Sequence, residues 1–261
     1  MIRILGKSNI AKRATNEDRF VADSAWGIAL VADGMGGPAA GEIAAGIVAS
    51  QVTDQLDQGV PLPKAVYSAH LDVLLAAEDG RGKVGMGSTV VVAHFNGHHF
   101  ELAWIGDSRA YLWDGELRQI SRDHSQIEIM ISRGEISYSE AAKHPKKNII
   151  TRAIGHGKYS EEDVPLVKGA LFQGQKLLLC SDGLHDAMDI CDIARILDSS
   201  NSSEQQLEQL IATALANYGA DNITAVLVES DAVPEENEIV PTLPVVSIAR
   251  VDGYTEHFPA Q

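Results

Sequence analysis

The chain is poor in cysteine, with 2 among 261 residues, which excludes a disulfide scaffold and a cysteine-rich zinc protein. Cys180 sits in an apolar run and Cys191 in a helical one, so both are expected as buried thiols in a reducing compartment. Long hydrophobic runs are missing too. No stretch reaches about 18 apolar residues, and the opening MIRILGKSNI lacks the apolar centre of a signal sequence. The expectation is a cytoplasmic protein without a membrane span. Positive charge is scarce: 21 Lys and Arg face 36 Asp and Glu, a net charge of −15. Such a surface repels nucleic acid and anionic membrane and offers no polybasic stripe. There is no internal repeat.

What is present is globular, with 45% hydrophobic and 22% charged residues. Asn96-Gly97 and Asp114-Gly115 predict two β-hairpins: GSTVVVAHF returning as HHFELAWIG, and SRAYLWD returning as ELRQIS. Other strands are expected at the N-terminus, around Trp26–Ala32, at QKLLLCSD and at ITAVLVE. Helices are expected over Ala39–Leu56, Lys64–Ala77, Ser125–Ser132, Asp186–Leu197 and Glu204–Ala216. They fall in pairs between blocks of strands, not one per strand. That order favours an α+β sandwich, two mainly antiparallel sheets packed face to face with helices outside, over a doubly wound parallel sheet. Residues 1–230 are expected to form the folded domain. Residues 231–261 change character: Pro234, Pro241, Pro244 and Pro259 lie there beside the acidic patch EENE. They are expected as a tail outside the core, in which Val245–Val251 is apolar enough to dock as an edge strand or bind a partner.

The acids of interest stand at strand ends. Asp33 in VADGMGG and Asp182 in LLLCSDG each follow at least four apolar residues and precede a glycine. Asn16-Glu17-Asp18, Asp107 in WIGDSRA and Asp221 in GADNIT are further acids at turns. A carboxylate leaving a buried strand is costly unless paired or metal-bound, and neighbouring carboxylates raise one another's pKa. No Lys or Arg lies within two residues of Asp33, Asp182 or Asp221. Divalent cations resolve the conflict, and an oxygen-only ligand set suits Mg²⁺ or Mn²⁺ rather than zinc. Two such ions about 3.5–4 Å apart would activate a bridging water for in-line displacement at phosphorus. Singly, a D-G pair is ordinary turn chemistry and Glu17-Asp18 ordinary surface charge; joint occurrence with the Gly-rich turn is what points to a site.

A rival motif overlaps Asp33. Gly34-Met35-Gly36-Gly37-Pro38-Ala39 fits G-x-G-x-x-A between a strand and a helix, the dinucleotide fingerprint. Asp33 would set a negative charge against the pyrophosphate, and Pro38 removes an N–H where an anion needs donors. The next strand waits until about residue 88, so no βαβ unit forms.

The order of motifs resembles the metal-dependent serine/threonine protein phosphatases of the PPM (type 2C) family, especially the compact bacterial members. The matching segments are RATNEDR (Arg13–Arg19), VADGMGG (Val31–Gly37), GST (Gly87–Thr89), GDSRAY (Gly106–Tyr111), RDHS (Arg122–Ser125), HPKKNIITRAIG (His144–Gly155), CSDGLHD (Cys180–Asp186) and DNIT (Asp221–Thr224). The resemblance implies an αββα sandwich with a binuclear Mn²⁺ or Mg²⁺ site between the sheets. Asp33 would bridge both ions, the Gly34 carbonyl would complete one shell, and Asp182 and Asp221 would hold the other ion. Glu17 and Asp18 would bind metal-bound waters or support the ligands from behind. Asp107 falls where bacterial members hold a weaker third ion, with Asp186 nearby. Arg13 would clamp the substrate phosphate, a task its planar fork suits. A metal-bridging hydroxide would then attack phosphoserine or phosphothreonine in line, with no covalent enzyme intermediate. The residues agree with that last point on their own: Cys180 has Asp186, not Arg, six positions on, so no C-x₅-R phosphate loop exists.

Two departures stand out. Met35 occupies the place where many eukaryotic relatives carry histidine, and Lys147, in the flap-like stretch Gly134–Gly155, stands where arginine is frequent. The partners implied are phosphorylated proteins, targets of a serine/threonine kinase. The alternative is a non-catalytic phosphoprotein- or kinase-binding module on the same fold; such a relative is expected to lack a core acid, and all are present. Arg109 is expected as a structural ion-pair partner, His124 and His144 as loop or cap residues, and Asn148 and Arg152 as flap-shaping or substrate-contacting residues. Trp26, Trp104 and Trp113 are expected in strands, in or beside the core.

Overall fold

Strands buried on both faces build the centre of the molecule, which is why their sequences read as nearly unbroken apolar runs. The computed structural model describes residues 1–37, 40–141, 144–217, 219–235, 242–249 and 255–257. One antiparallel sheet has the order β1-β11-β10-β7-β8-β12-β13. Its strands are β1 (Ile2–Asn9), β7 (Arg109–Trp113), β8 (Leu117–Gln119), β10 (Lys176–Cys180), β11 (Ile223–Ser230), β12 (Ser247–Ala249) and β13 (Thr255–His257). The other runs β2-β3-β5-β6-β9, with β4 beside β3. Its strands are β2 (Asp18–Asp23), β3 (Ile28–Met35), β4 (Gly87–Ser88), β5 (Val90–Asn96), β6 (His99–Ile105) and β9 (Leu166–Ala170).

Alternation along each strand assigns its faces. Ile28, Leu30 and Ala32 of β3 and Val90 and Val92 of β5 pack under α1 (Ala40–Asp57) and α2 (Leu62–Glu78). Tyr111, Trp113, Leu178, Cys180, Ala225 and Leu227 pack under α6 (Ile190–Asp198) and α7 (Ser203–Ala216). The intervening residues, among them Ala29, Val31, Val91, Ala110, Leu112, Leu177, Leu179, Val226 and Val228, form a third cluster between the sheets. The result is helix, sheet, sheet, helix, as expected. Continuing the inward parity by one step places Asp33 after Val31, Thr89 before Val91, Ser181 after Leu179 and Thr224 before Val226. The polar residues therefore collect at one end of the inter-sheet layer.

Both hairpins form at the expected turns. Three further short helices are α3 (Gln126–Ser132), α4 (Tyr138–Ala141) and α5 (Asp182–His185). Ser125 caps α3 through its hydroxyl, which accepts from the Glu128 N–H. Three strands escaped the sequence: β2, β9 and, in the tail, β13. The first two are the edges of their sheet, buried on one face only, so neither carries the apolar run that marks the central strands. Trp26 is a correction: it sits in the turn before β3 and is 58% exposed, whereas Trp104 and Trp113 are buried. Cys180 and Cys191 are both buried, as thiols.

Part of the tail joins the sheet. β12 pairs with β8, and buried Val246 donates its N–H to the Gln119 carbonyl. Pro38, Ala39, most of the EENE patch, Pro241, Arg250–Val251 and Pro259 lie outside the described residues. Among the described residues, no helix is long and apolar enough to cross a membrane.

Candidate active site

The two D-G pairs owe their glycines to close approach. A Cβ on Gly34 would stand 2.1 Å from the Gly41 carbonyl oxygen, and one on Gly183 would stand 2.0 Å from that of Asn222. Neither glycine has a positive φ. Glycine at 34 lets the start of α1 press against the end of β3, and glycine at 183 lets α5 begin against the Asp221-Asn222 loop. Each acid is thereby fixed beside a second chain segment.

A cavity of about 270 Å³ opens at this end of the inter-sheet layer, lined by Arg13, Glu17, Asp33, Gly34, Asp107, Asp182 and Asp221, with Met35, Thr89, Asn148, Ile150 and Asn222. Five carboxylates thus face one space, and among the described residues Arg13 is the single cationic side chain on its wall. The electrostatic cost is plain. Burial, then repulsion by Asp182, Asp18, Asp107 and Asp221, drives the Asp33 carboxyl well above its ordinary range. Burial, then Asp107 and Asp221, pushes Asp182 up to about 8. Burial and Asp123 push Asp107 to about 6, and burial raises Glu17.

Cations would relieve this, and among the described residues on the wall only Arg13 supplies one. Arg13 reaches Asp221 at 2.5 Å, so its guanidinium, expected on the phosphate, is paired with a carboxylate. Among the described residues, the buried oxygens Asp182 Oδ1 and Asp18 Oδ1 have no hydrogen-bond partner. Unpartnered buried carboxylate oxygens in an oxygen-only set fit a divalent ion. Among the described residues, no three His, Cys, Asp or Glu side chains already close on one point as a ready cage.

The other expected site residues fall around this cavity, not in it. Asp18 lies behind, buried, its Oδ2 accepting from Ser181 Oγ (2.9 Å) and Thr224 Oγ1 (2.6 Å) of the opposite sheet. Asp186 faces a neighbouring cavity of about 420 Å³ and pairs with Lys147 at 3.0 Å.

Three comparisons with known proteins bear on this geometry. The family described as Protein phosphatase 2C matches residues 5–229. A serine/threonine phosphatase, stp of Listeria monocytogenes, is 35% identical over 216 residues, covering 78% of this chain and 84% of that protein. The crystal structure of the serine/threonine phosphatase PstP/Ppp of Mycobacterium tuberculosis superposes with a TM-score of 0.79 at 33% identity, covering 88% of this chain and 99% of that one. The chain belongs to the protein phosphatase 2C family. A further structure of the family, the PstP catalytic domain in complex with two manganese ions, has a TM-score of 0.77 at 32% identity and covers 87% of this chain and 97% of that one.

Within this phosphatase fold several residues act that carried no role in the sequence. Asn222 locks the loop bearing Arg13 and Glu17: its Oδ1 accepts the Glu17 N–H (2.8 Å), and its Nδ2 donates to the Ile10 and Thr15 carbonyls. Thr89 Oγ1 accepts the Asp33 N–H at 3.0 Å and exchanges a hydrogen bond with Ser108. The buried His185 ring meets the Asp107 carbonyl at 3.1 Å, and burial and Arg109 hold it neutral, well below the usual imidazole range. The available signal was position: each sits inside a short polar motif at the end of an apolar strand. Arg109 proves structural, forked onto Asp123. His124 accepts the Gly106 N–H, a loop role, and Asn148 lines the cavity.

Proposed function

We propose that phosphoserine and phosphothreonine of protein substrates are hydrolysed in the Asp33–Asp182–Asp221 cavity, with Mn²⁺ or Mg²⁺ ions held by these carboxylates. The chain is a metal-dependent serine/threonine protein phosphatase, as family and relatives indicate. The single observation that carries the site assignment is five carboxylates on one small cavity with one cationic side chain among them. Bound there, divalent ions supply charge neutralisation and a water acidic enough to serve as nucleophile near neutral pH.

Asp33, Asp182 and Asp221 would hold the ions by their carboxylates, with the Gly34 carbonyl completing one shell and Asp107 serving a third ion. Glu17 would orient coordinated waters, and Asp18 and Asp186 would support the set from behind. Once Asp221 serves an ion, the exposed Arg13 fork is free to take two phosphate oxygens, the geometry in which a guanidinium binds most strongly. No protein nucleophile competes. Burial pushes the Cys180 thiol up to about 12, and its place under the helices keeps it from the cavity. Met35, on the cavity wall, has no proton to give the departing alkoxide, which must take one from another donor.

Phosphorylated proteins are the substrates, and a serine/threonine kinase is the natural opposing enzyme. We place the chain in the cytoplasm, a reducing compartment that suits two buried thiols. Nothing supports a non-catalytic docking module. The test is phosphate release from a phosphothreonine peptide with Mn²⁺ and then with EDTA. Release that stops on chelation and returns with Mn²⁺ is expected; equal rates in both would overturn the assignment.

A further inference from the structure

Residues 141–160 contain no Asp or Glu in a chain that carries 36 of them, yet they include Lys143, Lys146, Lys147, Arg152 and Lys158. This segment borders the reaction cavity, on which Asn148 and Ile150 stand. Beyond Met35 and Ile150, which line both spaces, a second cavity of about 390 Å³ opens, walled also by Arg152, His156, Lys158 and Asp163. Among the described residues, neither Arg152 nor Lys158 forms an ion pair. Arg152 Nη1 donates to the Asp163 carbonyl at 3.2 Å, which steadies the guanidinium and leaves most of its donors unused. Asp163 is the one acid among the described residues of the wall. Its carboxylate is engaged by the Ser160 N–H (2.8 Å) and hydroxyl (3.0 Å).

We propose that this second cavity is a subsite for an anionic residue of the substrate, a carboxylate or a second phosphate, lying within a few positions of the residue being dephosphorylated. The proposal rests on the phosphatase assignment and gives it a sequence preference. Continuity through Met35 and Ile150 lets one extended peptide occupy both spaces, since each further residue advances about 3.3 Å. Charge complementarity supplies the attraction. A surface of net charge −15 repels acidic protein segments, so a wall on which Arg152 and Lys158 outnumber Asp163 is where such a segment is tolerated. Arg152 and Lys158 are exposed, so their combined effect is about three- to tenfold in affinity and weakens with salt.

The experiment uses one phosphothreonine peptide in four versions, with Ala, Asp, phosphoserine or Lys placed in turn at each of three positions on either side. Loss of phosphate from the threonine is followed by mass on the Mn²⁺-loaded protein. At one or two positions KM is expected to rank phosphoserine below Asp below Ala below Lys, spanning about tenfold, with kcat little changed. The ranking should collapse in the Arg152→Ala, Lys158→Ala double variant and compress at high salt. Equal KM in all contexts, or a ranking intact in the double variant, overturns the subsite while leaving the phosphatase standing. Fluorescence anisotropy of the labelled peptides with metal-free protein reads binding without turnover. The same ranking there, with no turnover of any peptide by the Mn²⁺-loaded protein, would support the subsite and refute the hydrolytic assignment.

Discussion

Asp18 stands directly opposite Asp33 across the β2–β3 ladder, so both carboxylates leave the same face of one sheet toward the other. They then divide. Asp33 turns to the cavity, and Asp18 crosses to accept from Ser181 and Thr224, the residues that adjoin Asp182 and Ile223 on the facing sheet. Asp18 therefore ties the two sheets together at the point where the acids meet.

Removing that link is expected to loosen the site from within. Hydrogen bonds to an ionised group contribute about 1.5–3 kcal/mol each, offset by the desolvation of the buried carboxylate. We expect Asp18→Ala to cost about 2 kcal/mol, lowering Tm by roughly 4–8 °C for a chain of this size. Asp18→Asn, whose amide oxygen still accepts, should lose less. Thermal unfolding of the three proteins in EDTA checks this; an unchanged Tm for Asp18→Ala would show that the link carries no load.

Gly183→Ala is expected to damage stability and activity together. The new Cβ would lie 2.0 Å from the Asn222 carbonyl oxygen, and backbone cannot swing away as a side chain does. Overpacking of this kind costs about 1–3 kcal/mol or more. Because Asn222 anchors the loop of Arg13 and Glu17, the same shift should raise KM for a phosphopeptide. Wild-type Tm and KM in the variant would show that the close approach is dispensable.

Metal dependence of stability should itself depend on pH. Asp182 rises from 3.8 to about 8 in the fold, and Asp33 rises well above its ordinary value. The metal-free fold thus holds protons that the unfolded chain releases. Their contribution is fully present below about pH 4 and is lost as pH rises through about 8. Ions bind the deprotonated carboxylates. The Tm increase on adding Mn²⁺ to EDTA-stripped protein should therefore be larger at about pH 8.5 than at about pH 6.5. A shift equal at both pH values would contradict the account.

The sequence made the central layer legible because inward parity and apolar runs mark strands buried on both faces. Asp33 and Asp182 stand out there as polar residues ending such runs. The edge strands β2 and β9 lacked the run and were invisible. Contacts between distant segments were equally hidden: the Arg13–Asp221 pair, the Lys147–Asp186 pair and the Asn222 anchor join residues far apart in the chain. The rationale of Gly34 and Gly183 was hidden too. A D-G pair reads as a turn, and only the facing carbonyls of Gly41 and Asn222 explain why no larger residue fits.

The most direct test of shared cations is to count Mn²⁺ bound at equilibrium, by isothermal titration of metal-free protein, in wild type and in Asp33→Asn. The account predicts at least two ions in wild type, at least one fewer in the folded variant, and a fall of about 10³-fold or more in phosphate release, the scale of losing a major electrostatic stabiliser. Asp33→Asn that binds the same number of ions with the same affinity would contradict it.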